Sequence, residues 1–266
     1  MQAVINHYED YNEDGRLSRD NAHKIEFLTS IHFLNQYVQP NSNILDVGAG
    51  AGAYSFHFAE KGHSVTSIDI TPKNVQQMTL RLESYGSSLN MNVGIGDGRD
   101  LSRFESGTFD VVLCMGPLYH LIQLEDRMQC VRECLRVLRK GSLLAIAYIN
   151  RIGVFTHLVR QDRKYLEPSV FQRVVERGYI LSSEKDCFWT DAYFSSPGEI
   201  EGIAESFGIE KVNNLATDGI GVFIPEAVNT MSPKDFNAWM QYHFRACSDP
   251  SIIGMSIHGL YIGRKK

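Results

Sequence analysis

The sequence predicts an α/β protein built on a doubly wound, mostly parallel sheet. Short apolar runs of strand length alternate with amphipathic segments of helix length as far as Asn150. The first apolar run, 44–47, ends in three alternate glycines, Gly48, Gly50 and Gly52, and a helix-compatible segment follows. Acidic residues stand where later apolar runs end. This order is typical of folds that bind a ligand at the carboxyl ends of their strands.

Composition sets the class of protein. The chain has 266 residues, 43% hydrophobic content and a net charge of −5, which predicts a single elaborated domain over 1–266 and argues against a nucleic-acid-binding face. No apolar run approaches the roughly 20 residues of a membrane span. We therefore expect a cytoplasmic monomer or homodimer that acts on a small molecule, with no nucleic-acid or membrane partner.

The cysteine pattern predicts reduced thiols. Five cysteines, an odd number, show no metal-ligand spacing, so we predict no metal site. Cys130 and Cys134 lie one helical turn apart, and we interpret them as core residues rather than metal ligands.

The glycine-rich turn predicts a ligand site. Glycines adopt backbone angles that a Cβ forbids, and they let a ligand lie against bare backbone above a helix N-terminus. Gly48-x-Gly50-x-x-Ala53 fits the dinucleotide fingerprint, and Asp69 follows 21 residues after Gly48, where a carboxylate accepts hydrogen bonds from ribose hydroxyls. With Ala49 and Ile70 beside them, these residues predict an adenosine-type ligand. The alternative is a turn that merely packs a helix onto the sheet.

Asp46 narrows the kind of ligand. A carboxylate two residues before Gly48 would repel a pyrophosphate and favour a cation such as S-adenosylmethionine (SAM). Asp46-x-Gly48-x-Gly50-x-Gly52 resembles the first motif of the class I SAM-dependent methyltransferases. The resemblance implies SAM as the cofactor and a seven-stranded Rossmann-like sheet whose last strand is antiparallel.

Residues 1–40 are predicted to form an N-terminal cap. A polar leader precedes an amphipathic helix over about 21–38. The leader with the glycine motif is similar to a group of bacterial small-molecule methyltransferases in which this segment folds over the cofactor. By that resemblance, Tyr11 and Arg16 close the pocket, and Arg16 pairs with the methionine carboxylate. The alternative is a frayed leader in which both residues have surface roles.

A third strand end supplies another acid. Thr71-Pro72 starts a helix that runs to about Ser84, and strand 91–95 then leads into Asp97 and Gly98. An acid at this position can accept the adenine amine, as it does in the methyltransferase family. Asp97 capping a turn is the alternative.

The loop after the fourth strand, 109–114, carries the candidate chemistry. It begins with Met115 and Gly116 and continues as Pro-Leu-Tyr-His-Leu, which resembles the motif IV loop of the same methyltransferase group. Gly116 replaces the asparagine of amino-methylating DNA enzymes, so nucleobase methylation is disfavoured. His120 is the candidate general base and Tyr119 an alternative, while a His120 that only holds the turn is the competing interpretation.

The rest of the sequence predicts the remaining strands of the sheet and two helical insertions. A helix over 125–138 and a strand over 143–149 end a cofactor-binding core at 41–150. Segments 151–190 and 219–250 are predicted to be largely helical lid insertions. Between and after them we expect a helix over 198–207, a strand over 209–216, and a last strand over 256–262 that the family places antiparallel at the sheet edge.

The predicted function is methyl transfer from SAM to an oxygen or nitrogen of a small molecule by in-line displacement. An NAD-type oxidoreductase is an alternative that the fingerprint allows and Asp46 opposes. A SAM-binding protein without catalysis is a second alternative.

Overall fold

The computed structural model describes residues 1–11, 13–185 and 187–266. Asn12 and Asp186, which fall within the predicted cap and the first predicted insertion, lie outside the described residues. The strands are β1 Asn43–Val47, β2 Ser64–Asp69, β3 Met91–Ile95, β4 Phe109–Cys114, β5 Leu138–Ile149, β6 Tyr179–Ile180, β7 Ala192–Tyr193, β8 Glu210–Ala216 and β9 His258–Arg264.

Eleven α-helices lie before, between and after these strands in the described part of the chain. They are α1 Gln2–Asp10, α2 Asn21–Tyr37, α3 Ala53–Glu60, α4 Pro72–Ser84, α5 Leu124–Val137, α6 Arg151–Gln161, α7 Pro168–Phe171, α8 Pro197–Ser206, α9 Pro225–Asn229, α10 Pro233–Ala246 and α11 Pro250–Met255. Short 3-10 turns occupy Arg16–Ser18, Pro117–His120, Arg163–Tyr165 and Gly221–Phe223, and a π-helical turn spans Gln172–Arg177. None of the helices in the described part of the chain has the length and apolarity needed to cross a membrane.

Seven strands form one sheet in the order β3-β2-β1-β4-β5-β9-β8. The first five strands in this order, β3, β2, β1, β4 and β5, are parallel to one another. β9 is antiparallel to both of its neighbours. The seven-stranded, mostly parallel sheet with an antiparallel last strand is confirmed. β9 lies one place in from the edge, because β8 pairs along its outer side.

Apolar clusters cover both faces of the sheet. Leu45 and Val47 of β1 pack in one cluster with residues of α5 and α8, whereas Ile44 packs in the other with residues of α2, α3 and α4. Alternate residues of a strand point to opposite faces, which explains this division. Asp46 therefore shares the face of Ile44 and points toward α3.

Helix starts follow the chemistry of the sequence. Pro72, Pro197 and Pro233 each stand at the first turn of their helices, where a missing N–H is tolerated. Ser196 and Glu199 form a reciprocal capping box at α8. β5 begins at Leu138 rather than 143, because Leu138 already pairs with Phe109 of β4, ahead of a register shift in this pairing.

The two predicted insertions pack mainly in two clusters, although Val222 and Phe223 of the second segment join the cluster of the first. The described part of 151–190 is largely helical, and its apolar residues pack with Ile149 and Ile257. Val228 and Met240, from the 219–250 segment, pack against Ala22 and Ile25 of α2. Both segments therefore pack beside the core of the sheet.

Candidate functional site

A cavity of about 310 Å³ lies at the carboxyl ends of the central parallel strands. Its walls come from α1, the segment after it, the glycine loop, the ends of β2 and β3, and the loop after β4. It brings together Arg16, Gly48, Ala49, Gly50, Asp69, Ile70, Asp97, Gly98, Met115, Gly116, Tyr119 and His120. Two predicted site residues, Asp46 and Tyr11, are not among the described residues that line it.

The glycine loop touches the loop after β4, residues 115–121, which resembles motif IV in sequence, backbone to backbone. Gly48 and Gly50 have φ of +72° and +57°, which side chains rarely adopt. A Cβ on Gly48 would lie 2.7 Å from Cδ of Pro117, and one on Gly116 would lie 2.9 Å from the carbonyl oxygen of Gly48. The close approach leaves bare backbone at the cavity surface, as the sequence predicted for this turn.

Asp69 is held rigidly at the end of β2. Its Oδ2 accepts the N–H of Gly50 at 2.8 Å, and its Oδ1 accepts the N–H of Thr71 at 2.9 Å and the side-chain amide of Asn74 at 3.2 Å. Burial raises the pKa of this carboxyl above its ordinary value, although these hydrogen bonds oppose the shift. The arrangement fixes an acceptor at the cavity wall and ties it to the glycine loop.

Asp97 caps a turn and also lines the cavity, and its contact with the adenine amine stays a prediction. Its Oδ1 accepts the backbone N–H of Arg99 at 2.9 Å, which is the turn-capping geometry. Burial alone would raise the pKa of Asp97, but hydrogen bonds from Arg99 lower it overall. The side chain of Asp97 also lines the cavity. Nη1 of Arg99 donates a further hydrogen bond to Oδ1 of Asp126 at 3.2 Å.

Asp46 lies behind the glycine loop and not at the mouth of the strand. The side chain is fully buried, Oδ2 accepts the hydroxyl of Ser55 at 2.6 Å, and Ser67 donates to Ser55 at 2.7 Å. Oδ1 has no hydrogen-bond partner among the described residues. Burial raises the pKa of Asp46 to about 7. The predicted exposure of this carboxylate to the ligand is corrected, because strand alternation turns it toward α3; its part in cofactor binding stays a prediction.

Arg16 lines the cavity but is engaged by the protein. Its Nε donates to Glu13 at 2.7 Å, and its two terminal nitrogens donate to Glu26 at 2.9 and 3.3 Å. Burial alone would raise the pKa of Glu26, but Arg16 and His258 lower it to about 2. The guanidinium fork that the resemblance assigned to a cofactor carboxylate therefore already holds a carboxylate of the chain.

Tyr8 occupies the place predicted for Tyr11. Tyr11 is 39% exposed and stacks on His7 with ring centroids 5.6 Å apart, outside the cavity lining. Tyr8 lies in the lining together with Val4, on the same face of α1. The sequence analysis missed this residue, although the i, i+4 spacing of Val4 and Tyr8 was a signal for a short amphipathic helix.

His120 is hydrogen-bonded through both ring nitrogens. Nδ1 lies 3.0 Å from the carbonyl oxygen of Asp191, and Nε2 lies 3.0 Å from the hydroxyl of Tyr8. A carbonyl oxygen only accepts, so Nδ1 carries the proton and Nε2 accepts from Tyr8. Burial lowers the pKa of His120 to about 4, which keeps the ring neutral. Both interpretations of His120 are compatible with these contacts, since it holds the loop and also presents a basic nitrogen.

Tyr119 has a different environment. Its hydroxyl donates to the carbonyl oxygen of Met115 at 3.0 Å. Burial raises the pKa of Tyr119 above the ordinary value of 10, so the phenol stays protonated. This hydrogen bond closes the turn of the loop after β4 and leaves His120 with Tyr8 as the pair suited to accept a proton.

The first predicted insertion contacts His120 and α1 from outside the cavity. The described residues of 151–190 and 219–250 do not line the cavity. Trp189 lies 5.0 Å from the ring of His120, centroid to centroid, and its indole N–H donates to His7 at 3.1 Å. The first insertion thus supports the loop after β4 and α1, and the covering role of both segments stays a prediction.

Comparison with known proteins gives the class. Residues 45–146 match the family model described as a methyltransferase domain. Residues of this chain are 35% identical over 112 positions to the ubiquinone biosynthesis O-methyltransferase of Xanthomonas campestris, covering 42% of this chain and 45% of that protein. The corresponding protein of Xanthomonas axonopodis is 31% identical over 122 residues, which are 46% of this chain and 49% of that protein. The chain thus spans about half the length of these relatives.

Solved structures share the whole fold. A SAM-dependent methyltransferase from Methanosarcina mazei has a TM-score of 0.61 at 21% identity and covers 88% of this chain and 96% of its own. One from Thermotoga maritima has a TM-score of 0.57 at 17% identity, and the match covers 100% of this chain and 99% of that one. These structures show that the chain has a Rossmann-like fold, and residues 45–146 of that fold carry the match to a methyltransferase domain. The cofactor implied by that domain is S-adenosylmethionine.

Proposed function

We propose that this protein transfers the methyl group of SAM to a hydroxyl oxygen of a small, largely apolar molecule. The observation that carries the proposal is the hydrogen bond between Tyr8 and a neutral His120 in the wall of the cavity. A neutral imidazole accepts a proton from an oxygen nucleophile, whereas a charged one does not. The named O-methyltransferase relatives support the same class of acceptor.

The residues around the glycine loop fit the cofactor. Added Cβ atoms at Gly48 and Gly98 would clash with neighbours at 2.7 and 2.9 Å, so the cradle depends on bare backbone. Asp69 and Asp97 present carboxylate oxygens to the same cavity. These residues would hold the adenosine half, with Gly116 packed directly beside Gly48. The bound cofactor supplies an electrophilic methyl group on a sulfonium.

The rest of the lining supports an apolar acceptor. Met1, Val4, Leu17 and Leu121 contribute apolar surface to the cavity that Tyr8 also lines. Small-molecule sites usually combine such surface with a few polar groups that fix orientation. Here the hydroxyl of Tyr8 and Nε2 of His120 are the polar groups, and they are suited to one hydroxyl of the acceptor.

Proton transfer follows from the hydrogen-bond directions. The acceptor hydroxyl donates to the oxygen of Tyr8, and Tyr8 donates to Nε2 of His120. When the acceptor oxygen gains the methyl group it becomes strongly acidic; its proton passes to Tyr8, and the phenolic proton passes to His120. The carbonyl oxygen of Asp191 keeps Nδ1 protonated and the ring in place.

Residues 1–40 act in this proposal as the cap. α1 is fastened over the cavity by the Tyr8 hydroxyl on His120, by Trp189 on His7, and by Lys73, whose backbone N–H donates to Glu9 at 3.0 Å. The Nζ of Lys73 also donates to the carbonyl oxygen of Glu9 at 2.6 Å. Cofactor and acceptor enter when these bonds open.

The test is a transfer assay with SAM and a panel of phenols, alcohols and amines, read as S-adenosylhomocysteine formed. We expect turnover with a hydroxyl acceptor, a loss of at least tenfold in Tyr8→Phe and His120→Ala, and no loss in the exposed control Tyr242→Phe. S-adenosylhomocysteine binding, measured by calorimetry, should persist in both variants. Binding without transfer to any acceptor would support the non-catalytic alternative, and binding of NADH instead would overturn the proposal.

A further inference from the structure

Three cysteine sulfurs meet beneath the floor of the cavity. Cys114 is the last residue of β4, and Cys130 and Cys134 lie one turn apart on α5. All three side chains are fully buried, and their Sγ atoms lie within 4.8 Å of one another. Methyl transfer uses none of these thiols. The structure thus adds Cys114 to the two cysteines that the sequence analysis interpreted as core residues.

The spacing of the sulfurs suits a trigonal site. The Sγ atoms of Cys114 and Cys130 are 3.9 Å apart. A trivalent ion with a lone pair binds three thiolates as a pyramid, and with bonds of about 2.3 Å its sulfurs lie about 3.4 Å apart, so these thiols need to approach one another by about 0.5 to 1 Å. A central ion can therefore be accommodated with small shifts of the side chains.

The surroundings select the charge of the ion. Val47, Leu118 and Val131 belong to the same buried apolar cluster, and the nearby charged groups that act on Cys130 and Cys134 are the carboxylates of Asp97 and Glu133. Three thiolates carry a charge of −3, so a monovalent or divalent ion would leave net negative charge in an apolar region, which is strongly unfavourable. A trivalent ion gives a neutral complex.

We propose that Cys114, Cys130 and Cys134 form a binding site for a trivalent thiophilic ion of the arsenite or antimonite type. The reaction with arsenite breaks three As–O bonds and forms three As–S bonds. Each thiol proton leaves with a hydroxide as water, so three waters are released and no oxidant or reductant takes part. The ion ties β4 to α5 directly before the cavity residues Met115 and Gly116.

Access runs through the cavity floor. Gly98 lines the cavity, and a Cβ on it would lie 2.9 Å from Sγ of Cys130. The backbone of one glycine thus separates this sulfur from the cavity. A small displacement of the loop around Gly98 exposes the first thiol, and the other two complete the site once the ion has entered.

The test uses the full chain incubated with arsenite, followed by gel filtration and measurement of arsenic per chain and of its sulfur neighbours by X-ray absorption. We expect one arsenic per chain with three sulfurs. Cys114→Ser, Cys130→Ser and Cys134→Ser should each weaken binding at least tenfold, whereas Cys187→Ser and the buried control Cys247→Ser should not.

Several results would overturn the proposal. They are no bound arsenic in the wild-type chain, fewer than three sulfurs around it, or unchanged binding in Cys130→Ser. Tighter binding of cadmium than of arsenite would contradict the charge argument. The sulfur count needs no variant, so it decides the matter even where a serine variant fails to fold. Far-ultraviolet circular dichroism identifies such variants.

Discussion

The hydroxyl of Tyr8 lies 3.0 Å from Nε2 of His120, which joins the first helix to a loop 112 residues later in the chain. The contact makes the amino-terminal helix part of the chemical site. Because Tyr8 donates and His120 accepts, the pair is already oriented to take a proton from the cavity side. The proposals about capping and proton transfer therefore depend on the same hydrogen bond.

The pH dependence of turnover tests the state of His120. Its pKa is lowered by burial from 6.5 to about 4, so the ring is neutral above that pH and loses its acceptor nitrogen only below it. We expect kcat to stay level from pH 8 down to about pH 5 and to fall near pH 4. An acid limb centred near 6.5 would contradict this environment for the ring.

Asp46→Asn tests the buried carboxyl through stability. The folded pKa of about 7 exceeds the ordinary 3.8, so the folded chain binds the extra proton between these values and loses stability as pH rises through that window. The amide keeps the contact with Ser55 and avoids the buried charge. We expect a gain on the order of 3 kcal/mol at pH 8 and little change at pH 4 from urea unfolding. Exposed Glu105→Gln is the control, and equal gains at both pH values would count against the assignment.

The same Asp46→Asn variant also tests the electrostatic preference inferred from the sequence. S-adenosylhomocysteine lacks the sulfonium charge of SAM. If the carboxylate selects a cation, the variant's affinity for S-adenosylhomocysteine should change less than its affinity for SAM. Calorimetric titration of both ligands measures the difference. Equal changes for the two ligands would indicate that Asp46 acts on the loop and not on the charge.

Gly48→Ala tests the contact between the two loops. A methyl group there would meet Pro117 at 2.7 Å and force a left-handed backbone angle on alanine. Gly141 also has a positive φ, +79°, but an added Cβ would find nothing within 4 Å. We expect Gly141→Ala to lose about 1 to 2 kcal/mol from backbone strain alone, and Gly48→Ala to lose more. Gly48→Ala should also bind S-adenosylhomocysteine at least tenfold more weakly, and unchanged binding would refute the cradle.

Arg16→Ala tests the ion pair beneath the cap. Removing Arg16 leaves the carboxylate of Glu26 buried without its main partner, which should destabilise the fold by roughly 3 kcal/mol at pH 7. The double variant Arg16→Met with Glu26→Gln should recover much of that loss. Lys211→Ala removes the exposed pair with Glu201 and should lose less than about 1 kcal/mol. Equal losses in Arg16→Ala and Lys211→Ala would show that Glu26 needs no buried partner.

The sequence predicted the sheet and its ligand edge well. Apolar runs and glycine or proline boundaries located the strands and most helices to within a few residues, because these features depend on local backbone chemistry. The places of Asp69 and Asp97 in the lining followed for the same reason, since Asp69 ends β2 and Asp97 comes two residues after β3, at strand ends that meet the cavity.

Orientation and long-range pairing were harder to predict. Asp46 points toward α3 because strands alternate, and the sequence does not state which face α3 covers. Tyr8 rather than Tyr11 lines the cavity because of the phase of a nine-residue helix that a polar leader conceals. The contact of Tyr8 with His120 spans 112 positions, and no local pattern encodes it.

The position of Tyr8 on α1 has a kinetic consequence. While the first helix is lifted for loading, His120 has lost its phenolic partner, so the open protein cannot relay a proton through that tyrosine. Closure of α1 over the cavity assembles this proton relay. The reaction can therefore begin only when both reactants are enclosed.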